Sequence, residues 1–343
     1  MRYLMVTTYP PTHCGIGSYG EQSVNQLRGQ GHVVDIVSPD QQGNVDFAWD
    51  LRGGSKILKL VDLLPYYDKV VIQYHWSFFY LDPFDPRLRR DTLKTTLSFL
   101  RLVTKSRKVE IVAHEIPYLT GRTKWLYGLT WKLTPKVVLH TENERKRFEE
   151  HYGMRLRDSR VELRRHHDVF QRYTGHSQSS ARKDLGIAGD GLVFLCIGFI
   201  QRHKGFHRAI RSFRKANPDA ARLYVVGSMR VSDDENRKYL QELRDLAGES
   251  ANVQIREQFV SNEEFDTWIL AADWVIFPYS EIWSSGVLAR TRLLERPSIV
   301  AYVGGLPDQA GEIDILFKSD EELTSALQTA AERVRRPVRL RPE

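Results

Sequence analysis

The stretch "IFPYSEIWSSGVLARTRLLERPSIV", Ile276 to Val300, decides how the rest of the chain is read. An apolar run, Ala271-Ala272-Asp273-Trp274-Val275-Ile276-Phe277, halts at Pro278. A polar loop follows with Glu281, Ser284, Ser285 and Gly286, and a helix-like segment then leads into a second apolar run, Ser298 to Tyr302. Strand, small-residue loop, helix, strand is the repeating unit of a parallel sheet, and such loops lie at the carboxyl ends of strands, where these sheets hold ligands.

The same alternation extends outward in both directions. The second half predicts strands at Val193–Gly198, Leu223–Gly227, Val253–Glu257, Trp274–Phe277 and Ser298–Tyr302. Helices are expected between and after them at Phe206–Ala216, Asn236–Ala247, Asn262–Leu270, Gly286–Leu294 and Glu321–Arg335. The first half predicts strands at Tyr3–Thr8, Val33–Ser38, Val70–Tyr74, Val109–Ala113 and Val137–His140, with helices such as Ser18–Gln30, Thr92–Thr104 and Asn143–Tyr152. The fold class expected is α/β: two Rossmann-like, doubly wound parallel-sheet domains, residues 1–172 and 173–343, facing a central cleft.

Composition agrees with that size. A chain of 343 residues exceeds one ordinary core, and 41% hydrophobic with 27% charged residues is the usual balance of a globular protein. No segment approaches the roughly 20 apolar residues of a membrane span. The first residues read as a strand rather than a signal peptide, and the two cysteines, Cys14 and Cys196, suggest neither a disulfide framework nor a metal site. A cytoplasmic protein is the expectation. The net charge of +7 lies wholly in residues 1–170, which hold 26 Lys and Arg against 19 Asp and Glu. Between Arg87 and Lys136, 12 basic residues face only Asp91, Glu110 and Glu115. Such a surface suits an anionic partner, and within it Gly121–Lys136, which combines Arg122, Lys124, Lys132 and Lys136 with Trp125, Tyr127 and Trp131, suits a phosphate-rich carrier or the inner face of a membrane. No nucleic-acid-binding motif accompanies it.

Gly15-Ile16-Gly17-Ser18-Tyr19-Gly20 matches the letters of a dinucleotide fingerprint but not its setting. Tyr9 to Cys14, with two prolines, separates it from the first strand, and the acidic residue expected further on would be Asp35, in mid-strand, or the late Asp40. These glycines instead suit backbone amides that approach an anion or a sugar hydroxyl. In the second half, "GFIQRHKGFHRAI" places Arg202 and Lys204 between a strand and a helix, well sited for phosphates. Gly227 closes the next strand, and "AYVGGLPD" brings another tight turn at Gly304-Gly305.

In this order the pieces resemble the retaining, metal-independent glycosyltransferases of the GT-B fold, the large group 1 (family 4-like) glycosyltransferases. "PPTHCGIGSYGEQSVNQLRGQGHVVDIVSP" is similar to that family's glycine loop, helix and strand, and "VAHE" to the segment with its sugar-contacting histidine. "KGFHRAIRSF" resembles its phosphate-binding Lys-Gly helix, and "SSGVLARTRLLERPSIV" the loop and helix around its paired glutamates. The resemblance implies transfer of a sugar from a nucleotide diphosphate sugar, UDP- or GDP-linked, to a glycan, lipid-linked carrier or natural product, as in polysaccharide biosynthesis. No metal or other cofactor is implied, and no Asp-x-Asp pair stands near these loops.

The resemblance also implies roles. His114 and Glu281 would act at the donor sugar. Lys204 and Arg202 would grip the diphosphate, with Ser285 beside them and the amides of Gly286 and Val287 on the distal phosphate. Gly15, Gly17 and Gly227 would let backbone approach the donor. The family's second glutamate is replaced by Arg290, which cannot accept a hydrogen bond from ribose and is expected to meet a phosphate or an acidic sugar instead. The family's arginine after the strand glycine is Phe199 here. These departures keep open a second reading, a degenerate homologue acting as a non-catalytic binding or partner subunit.

Overall fold

The computed structural model describes residues 1–39, 43–229, 233–248 and 250–335; Asp40 lies outside them. The chain divides into two compact units, Met1–Phe170 and a second that begins at Gln171.

The first unit is one seven-stranded sheet: β1 (Arg2–Val6), β2 (Val33–Ser38), β3 (Phe47–Ala48), β4 (Lys69–His75), β5 (Val109–Glu115), β6 (Lys136–Leu139) and β7 (Val161–Leu163). Its helices are α1 (Gly15–Gly29), α2 (Lys59–Leu63), α3 (Arg89–Lys105), α4 (Gly121–Leu133) and α5 (Glu142–Tyr152). The strand order is β3-β2-β1-β4-β5-β6-β7 with every pairing parallel. Strands buried on both faces must be apolar throughout. Leu4, Val70, Ile72, Val112 and Val138 meet that demand, with exposures of 0%.

The second unit repeats the plan with α6 (Gln178–Asp184), β8 (Leu192–Ile197), α7 (Phe206–Ala216), β9 (Ala221–Gly227), α8 (Asp234–Ala247), β10 (Val253–Glu257), α9 (Asn262–Ala271) and β11 (Trp274–Phe277). It continues with α10 (Gly286–Leu293), β12 (Ser298–Ala301), α11 (Leu306–Gln309), β13 (Ile315–Phe317) and α12 (Asp320–Arg335). The order β10-β9-β8-β11-β12-β13 is again wholly parallel. Both units are Rossmann-like α/β sheets. In each the order reverses beside the first strand, between β1 and β4 and between β8 and β11, and the loops leaving those strands form the crevice where open α/β sheets bind ligands.

Candidate functional site

The opening stretch supplies half of the second unit's crevice and the loop after β8 supplies the other half. Gly205, at a φ of 65°, turns the chain from Arg202–Lys204 into α7. A methyl group built on it would stand 2.0 Å from the carbonyl oxygen of Pro278, the residue that ends β11. Only glycine lets the two loops touch here. The Ser280 amide and hydroxyl both donate to the His203 carbonyl, at 2.8 and 3.1 Å. Gly304, at a φ of 56°, packs its backbone in the same way under the Ile282 carbonyl. The loop from Pro278 to Ser285 is thus held from both sides.

Lys204 is delivered onto this platform. A methyl on Gly198, just beyond β8, would lie 3.1 Å from Lys204 Nζ and 3.6 Å from Val287 Cγ2. The ammonium also lies over the Tyr279 ring, 5.3 Å from its centre. A cation therefore sits against a bare backbone, beside the first turn of α10. Ser285 caps that helix, accepting from the Leu288 amide at 3.2 Å, and is itself fixed by a two-way exchange with the Gln309 amide at 2.7 and 3.1 Å. The first amides of a helix have no partners inside it, so Gly286 and Val287 offer N–H groups and the positive end of a helix dipole. Gly227 serves close packing, since a methyl on it would meet the Gly198 oxygen at 1.9 Å. Glu281 is exposed on the loop.

Two expected phosphate ligands are placed otherwise. Arg202 donates to Glu242 of α8 at 2.6 Å and lies over the Tyr239 ring. Arg290 is buried; its Nε donates to Asp266 Oδ1 at 2.5 Å, its Nη1 to Asn262 Oδ1 at 2.9 Å and its Nη2 to the Asn262 carbonyl at 2.5 Å, between the rings of Tyr173 and Phe265. The expectation that Arg290 meets a donor phosphate or an acidic sugar is corrected: the guanidinium pins α10 to α9.

In the first unit, α1 begins at Gly15, after a turn containing a cis Pro10–Pro11 bond. Gly15 is open, with nothing within 4 Å of an added methyl, whereas Gly17 and Gly20 pack α1 onto Thr8 and Thr7 at the end of β1. Asp35, the discounted ribose acid, is held by Arg2 Nη2 at 2.6 Å and the Tyr67 hydroxyl at 2.7 Å.

His114, near the end of β5, donates from Nε2 to Gln73 Oε1 at 2.8 Å. Two further histidines, which sequence reasoning missed, join it. His140 follows β6 and His166 lies in the short turn beyond β7. The His140 and His166 rings stack with centres 3.6 Å apart, and His114 lies 5.1 Å from His140. Tyr19 of α1 meets all three edge-on, at 5.0 to 5.6 Å. Burial holds the imidazoles neutral: His140 is lowered to about 4, and His114 and His166 fall well below the ordinary histidine range, each further depressed by a neighbouring histidine. For His114 and His140 the sequence carries one signal, a place at or just past the end of an apolar strand; His166 carries none, since it follows the three-residue β7.

The fold and its crevices define the class, the GT-B fold. The chain superimposes on Anabaena HepE in complex with UDP-glucose with a TM-score of 0.67 at 14% identity, covering 98% of this chain and 91% of that one. A sucrose-phosphate synthase from Thermosynechococcus elongatus gives 0.68 at 14% identity over 98% and 94% of the two chains. WaaG, a glycosyltransferase involved in lipopolysaccharide biosynthesis, gives 0.64 at 16% identity over 98% and 91%. Within that class, residues 177–289 match the family model of the glycosyl transferases group 1, a span that ends one residue before Arg290. No curated protein matches the chain.

Proposed function

We propose that the protein is a glycosyltransferase that takes a sugar from a nucleotide diphosphate sugar, with retention of configuration, and passes it to an anionic or lipid-linked acceptor. The observation that carries this reading is Lys204: its ammonium lies against bare backbone at Gly198, beside the first turn of α10 and inside the span that matches the family model. A diphosphate set there meets one fixed cation and the amides of Gly286 and Val287. Charge developing on the leaving phosphate is then neutralised by groups already in place, which need no metal to do it. Glu281 and His114 are the groups proposed to act at the donor sugar, His114 as an imidazole that desolvation and the neighbouring His140 and His75 hold below the ordinary histidine range. UDP-glucose is the first donor to try, because HepE was crystallised with it.

The acceptor reading rests on the first unit. Helix α3 exposes Leu93 and Leu97 beside Arg90, Lys94 and Arg101, an apolar strip edged with cations.

The test is calorimetric titration with UDP-glucose, UDP and a GDP-sugar. Binding of one of them, weakened about tenfold or more in Lys204→Ala by loss of a charge-assisted contact, supports the reading. An unchanged affinity in Lys204→Ala, or no binding of any nucleotide, overturns it.

A further inference from the structure

We propose that His114, His140 and His166 form a binding site for a borderline divalent transition ion of the Zn²⁺ type, clasping the carboxyl ends of β5, β6 and β7. The site goes beyond sugar transfer: it uses none of the groups assigned to the donor phosphates, and it shares only His114 with the donor-sugar reading.

Four observations carry it. Each histidine offers a ring nitrogen, and these nitrogens lie within 4.8 Å of one another. His140 Nε2 and His166 Nδ1 are buried and make no hydrogen bond, so two ring nitrogens of the cluster stand without a partner in the interior, which costs free energy that a ligand would recover. The outer nitrogens are oriented as metal-binding histidines usually are: His140 Nδ1 donates to the Arg164 carbonyl at 2.8 Å, and His114 Nε2 donates to Gln73 Oε1 at 2.8 Å. Those bonds leave His140 Nε2 and His114 Nδ1 as the unprotonated atoms. Finally, His140 and His166 are buried and His114 is partly exposed, so the cluster is enclosed but has one solvent-accessible member.

Charge does not forbid a dication. Arg164, the cation that bears on His140, is paired with Glu110 at 3.0 Å and Glu162 at 2.7 Å, and Lys136 bridges the same two carboxylates. Two cations balance two anions. Imidazole nitrogen selects zinc, nickel, cobalt or copper over magnesium and calcium, which require oxygen. Zinc–nitrogen bonds of about 2.0–2.1 Å set tetrahedral nitrogens about 3.4 Å apart. Loading therefore draws the rings in by roughly an ångström and opens the His140–His166 stack. A water molecule is the competing occupant, because a polar hollow with orphaned nitrogens also suits one.

The experiment titrates the untagged full chain, stripped with chelator, with Co²⁺, then Zn²⁺, and with Mg²⁺ as control. One ion per chain is expected, with visible cobalt bands, displacement by Zn²⁺, a higher melting temperature and no response to Mg²⁺. His140→Ala and His166→Ala should each weaken binding about tenfold or more, while His176→Ala, at a histidine paired with Asp184, leaves it unchanged. Should the variants fold poorly, pulsed paramagnetic resonance of the Cu²⁺-loaded wild type counts the bound imidazoles directly, and three are expected. No uptake of Co²⁺ or Zn²⁺, binding indifferent to His140 and His166, or fewer than three imidazoles on copper overturns the site and leaves a water-filled hollow.

Discussion

Arg290 and Asp266 form a buried ion pair, Nε to Oδ1 at 2.5 Å, with side chains 7% and 0% exposed. Asp266 also accepts the Tyr173 amide at 2.7 Å, so this one carboxylate joins α9, α10 and the segment that enters the second unit. Removing one member of such a pair leaves the other charge stranded. Arg290→Ala should cost about 3–5 kcal/mol of unfolding free energy. Arg290→Glu should cost at least as much, because it sets two carboxylates together, even though it restores the residue the family resemblance expects. Urea denaturation of both variants checks the stability, and nucleotide titration of Arg290→Lys checks the site. A stable Arg290→Glu with altered nucleotide affinity would return Arg290 to the donor site.

Glycines separate packing from ligand approach. Gly205→Ala forces a strained φ of 65° and drives a methyl into the Pro278 carbonyl. The backbone strain alone amounts to about 1–3 kcal/mol, and nucleotide binding should fall because the two loops are pushed apart. Gly15 has no such neighbour and lies in the first turn of α1, so Gly15→Ala should leave the melting temperature unchanged or raise it. If transfer nevertheless drops in Gly15→Ala, the open backbone there faces a ligand. Full activity would mean that Gly15 has no part in donor binding.

Much of the fold could be read from the sequence because a parallel sheet writes each buried strand as an uninterrupted apolar run. The expected strands are present within two residues at either end, and the expected helices within three, α1 and α3 each starting three residues earlier than the sequence suggests. The short strands β3, β7 and β13 were not expected. Two or three residues held by backbone pairing to a neighbour leave no periodic signal, and Val161-Glu162-Leu163 reads as loop. The placing of Lys204 and the Pro278–Gly286 loop just past strand ends was legible because each is local to one turn. Arg290 was misassigned because its partner stands 24 residues away on another helix. The histidine cluster was invisible for the same reason: only the order β5-β6-β7 brings three strand ends together.

Asp35 gives a pH test. Burial pushes its carboxyl up, but hydrogen bonds from Tyr67 and Arg2 outweigh that, so the folded value lies below the ordinary one. A carboxyl lowered by folding contributes stability above its unfolded value, about 3.9, and loses it as pH falls through the folded value. Acid unfolding followed by circular dichroism below about pH 4 should therefore include a contribution that Asp35→Asn lacks. The variant should be less stable than wild type at pH 7, with the difference shrinking toward pH 2. A difference that stays constant across that range would assign Asp35 a purely steric role.

Membrane contact is the last expectation, and side-chain positions sharpen it. Of the aromatic residues in α4, Tyr127 and Trp131 are core, 2% and 3% exposed, while Trp125 is 61% exposed. Lys136 is engaged with Glu110 and Glu162, and Lys108 with the carbonyls of Leu64 and Tyr67, so neither is a loose surface charge. Helix α3 presents Leu93 and Leu97 one helical turn apart, with the exposed cations Arg90, Lys94 and Arg101 along the same helix, and Trp125 is exposed on the helix packed against it. Exposed apolar side chains edged with lysine and arginine suit the headgroup region of an anionic bilayer, and the electrostatic part of such binding is screened by salt. The protein should sediment with phosphatidylglycerol vesicles at low salt and be released as salt rises. Replacing both leucines with glutamate should abolish the binding without lowering the melting temperature, since both side chains face outward. Equal failure of the wild type to sediment at low and high salt would rule out the vesicle surface and point to a free, water-borne acceptor.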